Sequence, residues 1–238
     1  MNEAIIMSNQ RTQIIEIGHE KSRLIIIDEF EEDPFQLINL ASSMGAYLSQ
    51  DQTYYPGVKS SVAANIIQIE PYFNRLKDKI RRAMFAAYGH SQITISSSSF
   101  SMITLKPEAL QFEQVVPHTD GISENNYAIL HYLSPMVQGG TGFYRHKSTG
   151  YEIISGDKRS DYLKGLAEDV KIYGQPKAQY IDSSTDIFEK IYQIEGRFNR
   201  LVIYPTRLLH SGLINEACTF SDDPRKGRLT ANIFVTGK

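Results

Sequence analysis

Apolar residues recur every three or four positions in two stretches of the N-terminal part of the chain. The clearer stretch runs from about residue 71 to 88 and sets an apolar face against a face rich in lysine and arginine. This spacing predicts an amphipathic helix, and Gly89 is placed to end it. A shorter helix is predicted after Pro34, because proline suits the first helical turn. Residues 23–27 are a short aliphatic run that predicts a strand.

From Gln92 onward, apolar and polar residues alternate in a period of two, which is typical of half-buried strands. Strands are predicted over 93–95, 100–103, 127–133, 142–145, 200–204 and 228–235. A mainly helical N-terminal part (1–91) followed by strands (92–238) predicts an α+β fold, with helices on one side of an antiparallel sheet system.

A segment of about 147–199 interrupts the strands. Apolar spacing within it predicts helices over 161–172 and 185–194, the second preceded by Asp182 and two serines that suit a helix start. Long insertions between core strands are usually functional, as a lid or a dimer arm. The sequence therefore leaves a homodimer open.

The chain has 238 residues and a mass of 27.0 kDa, which fits a single domain. Its formal net charge of -2 argues against nucleic acid as a partner. No apolar run approaches the length needed to cross a membrane, and the N-terminus lacks the basic start of a signal peptide. The single cysteine, Cys218, favours a reducing, cytoplasmic location.

His118 and Asp120 form the first candidate site, because side chains at alternate positions of extended backbone point the same way. His210 follows a predicted strand much later and supplies a second imidazole. Two histidines and one carboxylate make the facial triad of non-haem Fe(II) oxygenases. Taken alone, the His-x-Asp pair also fits a surface turn, and zinc binds the same ligand types.

Arg228 begins the last predicted strand and shares one strand face with Thr230 and Asn232. A permanent cation inside a β-core is costly unless an anion meets it. An arginine fork binds a carboxylate through two hydrogen bonds. Fe(II), Asp120, Arg228 and a dicarboxylate such as 2-oxoglutarate would together carry no net charge. The alternatives for Arg228 are a surface position or an ion pair with an acid of the chain.

Five motifs in a fixed order resemble those of a known superfamily. They are His118-x-Asp120, Tyr132-Leu133-Ser134, Gly139-Gly140-Thr141-Gly142-Phe143, His210 and Arg228. The chain resembles the Fe(II)/2-oxoglutarate-dependent dioxygenases, particularly the prolyl-4-hydroxylase-like branch, and is especially similar to an uncharacterised bacterial family within it. The resemblance covers roughly residues 92–236. It implies a double-stranded β-helix, or jelly roll, with N-terminal supporting helices and a helical insertion.

The resemblance also implies a role for each matching position. His118, Asp120 and His210 would hold iron. Arg228 would bind the distal carboxylate of the cosubstrate 2-oxoglutarate, with Tyr132 donating its hydroxyl to the same group and Thr230 or Asn232 assisting.

The implied activity is that of an oxidoreductase: O2 and 2-oxoglutarate are consumed, and an unactivated C–H of a small molecule, amino acid or peptide is hydroxylated, with release of succinate and CO2. Asp120 occupies the position that halogenating relatives leave open for chloride, so hydroxylation is expected. Two alternatives stay open at this point. One is a non-catalytic jelly-roll protein that binds a metal or another ligand, and the other is a cupin-like metalloenzyme that does not use 2-oxoglutarate.

Overall fold

The computed structural model describes residues 5–6, 11–45, 47–49, 55–61, 66–136, 138–216 and 218–238. Most of the N-terminal stretch in which we expect no signal peptide lies outside these residues. Within the described residues, no helix has the length and apolar character needed to span a membrane.

The described residues form four α-helices and twelve strands. The helices are α1 (Phe35–Ser43), α2 (Ile66–Tyr88), α3 (Phe112–Val115) and α4 (Arg159–Tyr173), with a 3-10 turn at Pro107–Ala109. The strands of the N-terminal half are β1 (Ile5–Ile6), β2 (Thr12–Ile17), β3 (Ser22–Ile27), β4 (Leu48–Ser49), β5 (Gly57–Ser61) and β6 (Ile93–Ile103). Those of the C-terminal half are β7 (Asn126–Tyr132), β8 (Gly140–His146), β9 (Phe188–Glu195), β10 (Leu201–Pro205), β11 (His210–Leu213) and β12 (Leu229–Gly237).

These strands form two sheets. The main sheet has nine strands in the order β1-β2-β3-β10-β7-β12-β6-β5-β4, and the second has three in the order β11-β8-β9. Side chains from both sheets, including Phe143 of β8 and Val202 of β10, meet in one apolar cluster between them. The strands therefore form the predicted antiparallel double-sheet core.

The period-two pattern decides which face each side chain occupies. Ile129 of β7 and Leu229 of β12 point outward, where α1 and α2 cover the main sheet. Ala128 points inward between the sheets. Because neighbouring positions alternate, Arg228 and Thr230 are turned toward the interior of the double sheet.

Three of the predicted helices are present and one prediction is wrong. Residues 185–194 were expected to form a helix, but Phe188–Glu195 forms β9 and pairs with β8. The strand predicted over 23–27 is present as β3, and the N-terminal part contributes more strand than expected, because β2 and β5 also belong to the main sheet. This part therefore both widens the sheet and covers one of its faces.

A buried histidine joins the helical layer to the main sheet. His131 of β7 is fully buried, and its ring nitrogens lie 3.1 Å from the Tyr72 hydroxyl on α2 and 3.1 Å from Asn199 Oδ1. Burial lowers the pKa of His131 to about 4, although Asn199 and Glu31 act in the opposite direction. The folded protein therefore keeps this ring neutral under conditions in which the unfolded chain protonates it.

The metal-free protein is accordingly expected to lose stability as the pH falls. Between about 6.5, the ordinary histidine pKa, and about 4, the unfolded state binds more protons than the folded state. His131 should therefore reduce the free energy of unfolding by about 1 kcal/mol between about pH 7 and pH 5.5. Urea unfolding across this range measures the slope, and His131→Gln should show a smaller slope than the wild type. Equal slopes would contradict this assignment.

Candidate metal centre

The backbone brings the two histidines together. His118 N donates to His210 O and His210 N donates to His118 O, both at 2.9 Å, so the residues form a two-way antiparallel bridge. Asp120 N donates to Thr206 O at 2.8 Å, which fixes the carboxylate beside the start of β11. Residues more than eighty positions apart in sequence thus converge through backbone hydrogen bonds.

The three predicted ligand groups face one point. One ligand atom from each of His118, Asp120 and His210 lies within 4.8 Å of the other two. The Nε2 atom of His210 is 3.3 Å from one carboxylate oxygen of Asp120, and that of His118 is 3.9 Å from the other. The imidazole rings are 4.5 Å apart between centroids. This is the two-histidine, one-carboxylate arrangement anticipated from the sequence.

The pKa shifts of these three groups favour the binding of a cation. Burial, followed by the neighbouring His210, lowers the pKa of His118 to about 4, so this ring is neutral at neutral pH. Burial opposes ionisation of Asp120, but the two histidines and Lys59 outweigh it and lower the pKa of the carboxyl. Burial alone would lower the pKa of His210, but the interaction with Asp120 contributes to a net rise. A bound metal would compete with a proton for this ring.

The second nitrogen of His210 is also fixed. Its Nδ1 lies 2.8 Å from the carbonyl oxygen of Leu208, to which it can donate a hydrogen bond. That bond leaves Nε2, the atom near Asp120, with a lone pair for a metal. The donor set and its orientation therefore fit a divalent metal ion, by the chemistry of the residues present.

A cavity of about 290 Å³ opens from this cluster between the two sheets. It is lined by the three candidate ligands and by the predicted face of β12, namely Arg228, Thr230 and Asn232. The other lining residues include Tyr55, Lys59, Gln114, Thr141, Tyr180 and Tyr204. The candidate metal ligands and the candidate carboxylate anchor thus share one cavity.

Arg228 is held in place by the double-glycine turn. Its side chain is buried; Nε donates to Gln138 O and Nη2 to Gly140 O, both at 2.9 Å. Gly139 between them has a φ of +90°, and a Cβ there would lie 1.7 Å from Leu213 O, so only glycine fits. Within the described part of the chain, no acidic side chain forms an ion pair with Arg228. The guanidinium therefore presents an uncompensated charge to the cavity.

Tyr132 lies beside Arg228 but is placed differently from the expectation. Its hydroxyl is 2.6 Å from Thr141 Oγ1, and its ring centroid is 5.6 Å from the Arg228 guanidinium carbon. Thr141 lines the cavity, whereas Tyr132 does not. In this arrangement Tyr132 packs against the arginine and orients Thr141 instead of presenting its own hydroxyl to the cavity.

Sequence reasoning missed the contribution of the N-terminal strands to the site. Lys59, on β5, and Tyr55, two residues before that strand, both line the cavity. Burial raises the pKa of Tyr55, and Arg228 opposes that rise, which places the phenol close to the guanidinium. Gly57–Ser61 contains one large apolar residue, Val58, and no alternation that predicts a strand, and this part of the chain was interpreted only as helical support.

Comparisons with known proteins identify a family for this chain and structures of similar fold. Residues 8–235 match the model of a family of unknown function (DUF6445). None of the curated proteins matches the chain.

Among solved structures, the chain is similar to HygX from Streptomyces hygroscopicus with nickel and 2-oxoglutarate bound. The identity is 11%, the TM-score is 0.50, and the match covers 92% of this chain and 84% of that one. EctD from S. alaskensis with bound Fe is also similar, at 14% identity and a TM-score of 0.48, over 90% of this chain and 72% of that one. The likeness to HygX shows that the chain has the jelly-roll fold of the Fe/2-oxoglutarate-dependent oxygenases, as the sequence predicted.

Proposed function

The chain belongs to the DUF6445 family, and we propose that it is a non-haem Fe(II)/2-oxoglutarate-dependent dioxygenase that hydroxylates a C–H bond. The observation that carries this proposal is the common cavity. It contains a cluster of two histidines and one carboxylate, and a buried arginine without an acidic partner in the described part of the chain. The fold shared with HygX supports the same conclusion.

His118, Asp120 and His210 would hold the metal. With 2-oxoglutarate and O2 bound, Fe(II) at such a site supplies the oxidising power to hydroxylate a C–H bond, as 2-oxoglutarate becomes succinate and CO2. The protein supplies fixed ligands and a cavity between the two sheets in which substrate and cosubstrate can be oriented. The carboxylate of Asp120 supports hydroxylation over halogenation, because it occupies the position that a chloride ion would need.

Arg228 would bind the distal carboxylate of 2-oxoglutarate, with hydroxyl groups nearby. Thr230, on the same face of β12, lines the cavity next to it. Two backbone carbonyl oxygens accept hydrogen bonds from Nε and Nη2 of the guanidinium, and its other N–H groups are available to bind an anion. The positive charges of the metal and Arg228 match the negative charges of Asp120 and a dicarboxylate, which makes the loaded cavity electrically neutral without Lys59.

The proposal predicts succinate formation by the purified protein. We expect succinate to appear only when Fe(II), 2-oxoglutarate and O2 are all present, and to increase when a pool of amino acids, peptides and small metabolites contains a substrate. Mass spectrometry of the same mixtures should detect a product heavier by one oxygen atom. A chlorinated product in chloride buffer would contradict the hydroxylation.

Two other outcomes would assign a different function. Tight metal binding without consumption of O2 or 2-oxoglutarate would indicate a non-catalytic binding protein. Consumption of O2 by the metal-loaded protein in the absence of 2-oxoglutarate would indicate a cupin-like enzyme.

A further inference from the structure

Lys59 lines the cavity. It belongs to a row of paired strand residues that also contains Thr230, next to the candidate cosubstrate site. On β5 it pairs with Ser101 of β6, which pairs with Thr230 of β12. All of these strands belong to the main sheet, and both Lys59 and Thr230 line the cavity. The lysine therefore faces the same space as the metal cluster and Arg228, from a strand near the edge of the main sheet.

The contacts of Lys59 leave its charge unmatched. Its Nζ lies 4.5 Å from the centroid of the Tyr55 ring, a cation–π contact. In the described part of the chain, no acidic side chain forms an ion pair with it. Burial lowers the pKa of Lys59, and Asp120 is the group that opposes this effect. Because Asp120 is a candidate metal ligand, a bound metal would neutralise the one carboxylate that faces this ammonium group.

The sum of the charges in the cavity indicates a role for Lys59. Among the described lining residues, Lys59, Arg228 and Asp120 are the lysine, arginine and acidic side chains of the cavity. The metal, Asp120, Arg228 and 2-oxoglutarate balance one another, so Lys59 adds a single positive charge to the loaded site. A partly buried ammonium group without a partner is costly, and an anion that enters the cavity would relieve that cost.

We propose that the substrate is a small organic anion whose carboxylate or phosphate group pairs with Lys59. This inference rests on the proposed dioxygenase function and names its substrate class. Lys59 acts as a specificity-determining residue: it fixes the anionic end of the substrate at the β5 side of the cavity, which the metal cluster also lines.

Asn232 supports a second, weaker constraint on the same substrate. Its Oδ1 is buried and has no hydrogen-bond partner in the described part of the chain, and the residue lines the cavity two positions along β12 from Thr230. A buried amide oxygen without a partner costs free energy that an N–H or O–H donor would recover. We therefore expect the anion to carry such a donor.

The test uses pairs of probes in which one member carries an anionic group and the other member is its neutral counterpart. N-acetylated amino acids are compared with their primary amides, and phosphate monoesters with the corresponding alcohols. Binding to the protein loaded with Fe(II) and 2-oxoglutarate is measured by calorimetry without O2, and succinate formation is measured with O2. In the wild type, we expect at least one anionic probe to bind at least about tenfold more tightly than its neutral partner, which corresponds to about 1.4 kcal/mol.

Variants of Lys59 test whether this side chain causes the preference for the anionic probe. Lys59→Met should reduce the ratio between anionic and neutral probes to within about twofold, and Lys59→Arg should retain most of it. Lys106→Met, at an exposed lysine outside the cavity, is the matched control and should keep the full ratio.

The possible failures can be distinguished. A wild type that neither binds 2-oxoglutarate nor forms succinate refutes the proposed function, and with it this inference. Uncoupled succinate formation in which no anionic probe binds better than its neutral partner overturns the inference alone. So does a Lys59→Met protein that keeps the preference but binds 2-oxoglutarate more weakly, because Lys59 would then serve the cosubstrate.

Discussion

Replacing His210 with alanine is expected to abolish tight Fe(II) binding and all succinate formation. His210 is buried, its Nε2 lies 3.3 Å from Asp120, and its Nδ1 is fixed by Leu208 O. Loss of an outer-shell partner alone costs up to about 100-fold in metal affinity, so loss of a ligand should cost at least about that much. Metal content after dialysis and competition with a fluorescent chelator measure the change.

A matched variant separates ligand loss from general damage. His19→Ala changes an exposed histidine on the turn between β2 and β3, and it should leave metal affinity unchanged. Circular dichroism should show that the metal-free His210→Ala protein is folded. A folded His210→Ala protein that binds Fe(II) as tightly as the wild type would rule out His210 as a ligand.

Replacing Arg228 with methionine is expected to weaken 2-oxoglutarate binding by at least about 100-fold while Fe(II) binding persists. Removing one partner of a buried ion pair costs about 3–5 kcal/mol, and each 1.4 kcal/mol is a factor of about ten in affinity. The methionine side chain keeps much of the apolar volume that packs on the Tyr132 ring. Calorimetry with the Fe(II)-loaded protein in the absence of O2 measures the dissociation constant.

Arg225 provides the control for this variant. It lies three residues earlier in the same loop, and it is exposed, with a hydrogen bond to Asn39. Arg225→Met should bind 2-oxoglutarate as the wild type does. Equal losses in both variants would show that the affinity depends on the overall charge of this loop and not on the buried guanidinium.

The parts of the fold that the sequence predicts well are those with a simple period. The alternation along 228–235 and 127–133 correctly anticipates strands β12 and β7, and it places Arg228 and Thr230 on the inner face. The 3.6-residue period anticipates α2 and α4, although α2 begins several residues before Pro71. In these segments one face of the element is buried, so the burial pattern and the sequence pattern coincide.

The strand β9 shows where periodicity misleads. Phe188, Ile191 and Ile194 are spaced by three, as on a helix. In the structure the register with β8 shifts between Phe143 and Tyr144, so an irregularity in the pairing changes the phase of the apolar positions. A short apolar run of this kind does not distinguish a helix from a bulged strand without knowledge of its partner strand.

The composition of the cavity depends on long-range pairing that a single sequence does not reveal. The motif order indicated His118, Asp120, His210 and Arg228, because these residue types carry recognisable chemistry. Lys59 reaches the same cavity only because β5 pairs with β6, about forty residues later. An isolated lysine on a short strand carries no signal of its own, and the sheet topology makes it part of the site.

The most direct test of the central claim is an anaerobic titration of the protein with Fe(II) and then with 2-oxoglutarate, followed by visible absorption. We expect a weak charge-transfer band to grow with each addition of 2-oxoglutarate to the Fe(II)-loaded protein and to saturate at one 2-oxoglutarate per chain. The band should be absent with Fe(II) alone and absent in His210→Ala. If the protein binds Fe(II) but saturating 2-oxoglutarate produces no band, the dioxygenase assignment is wrong.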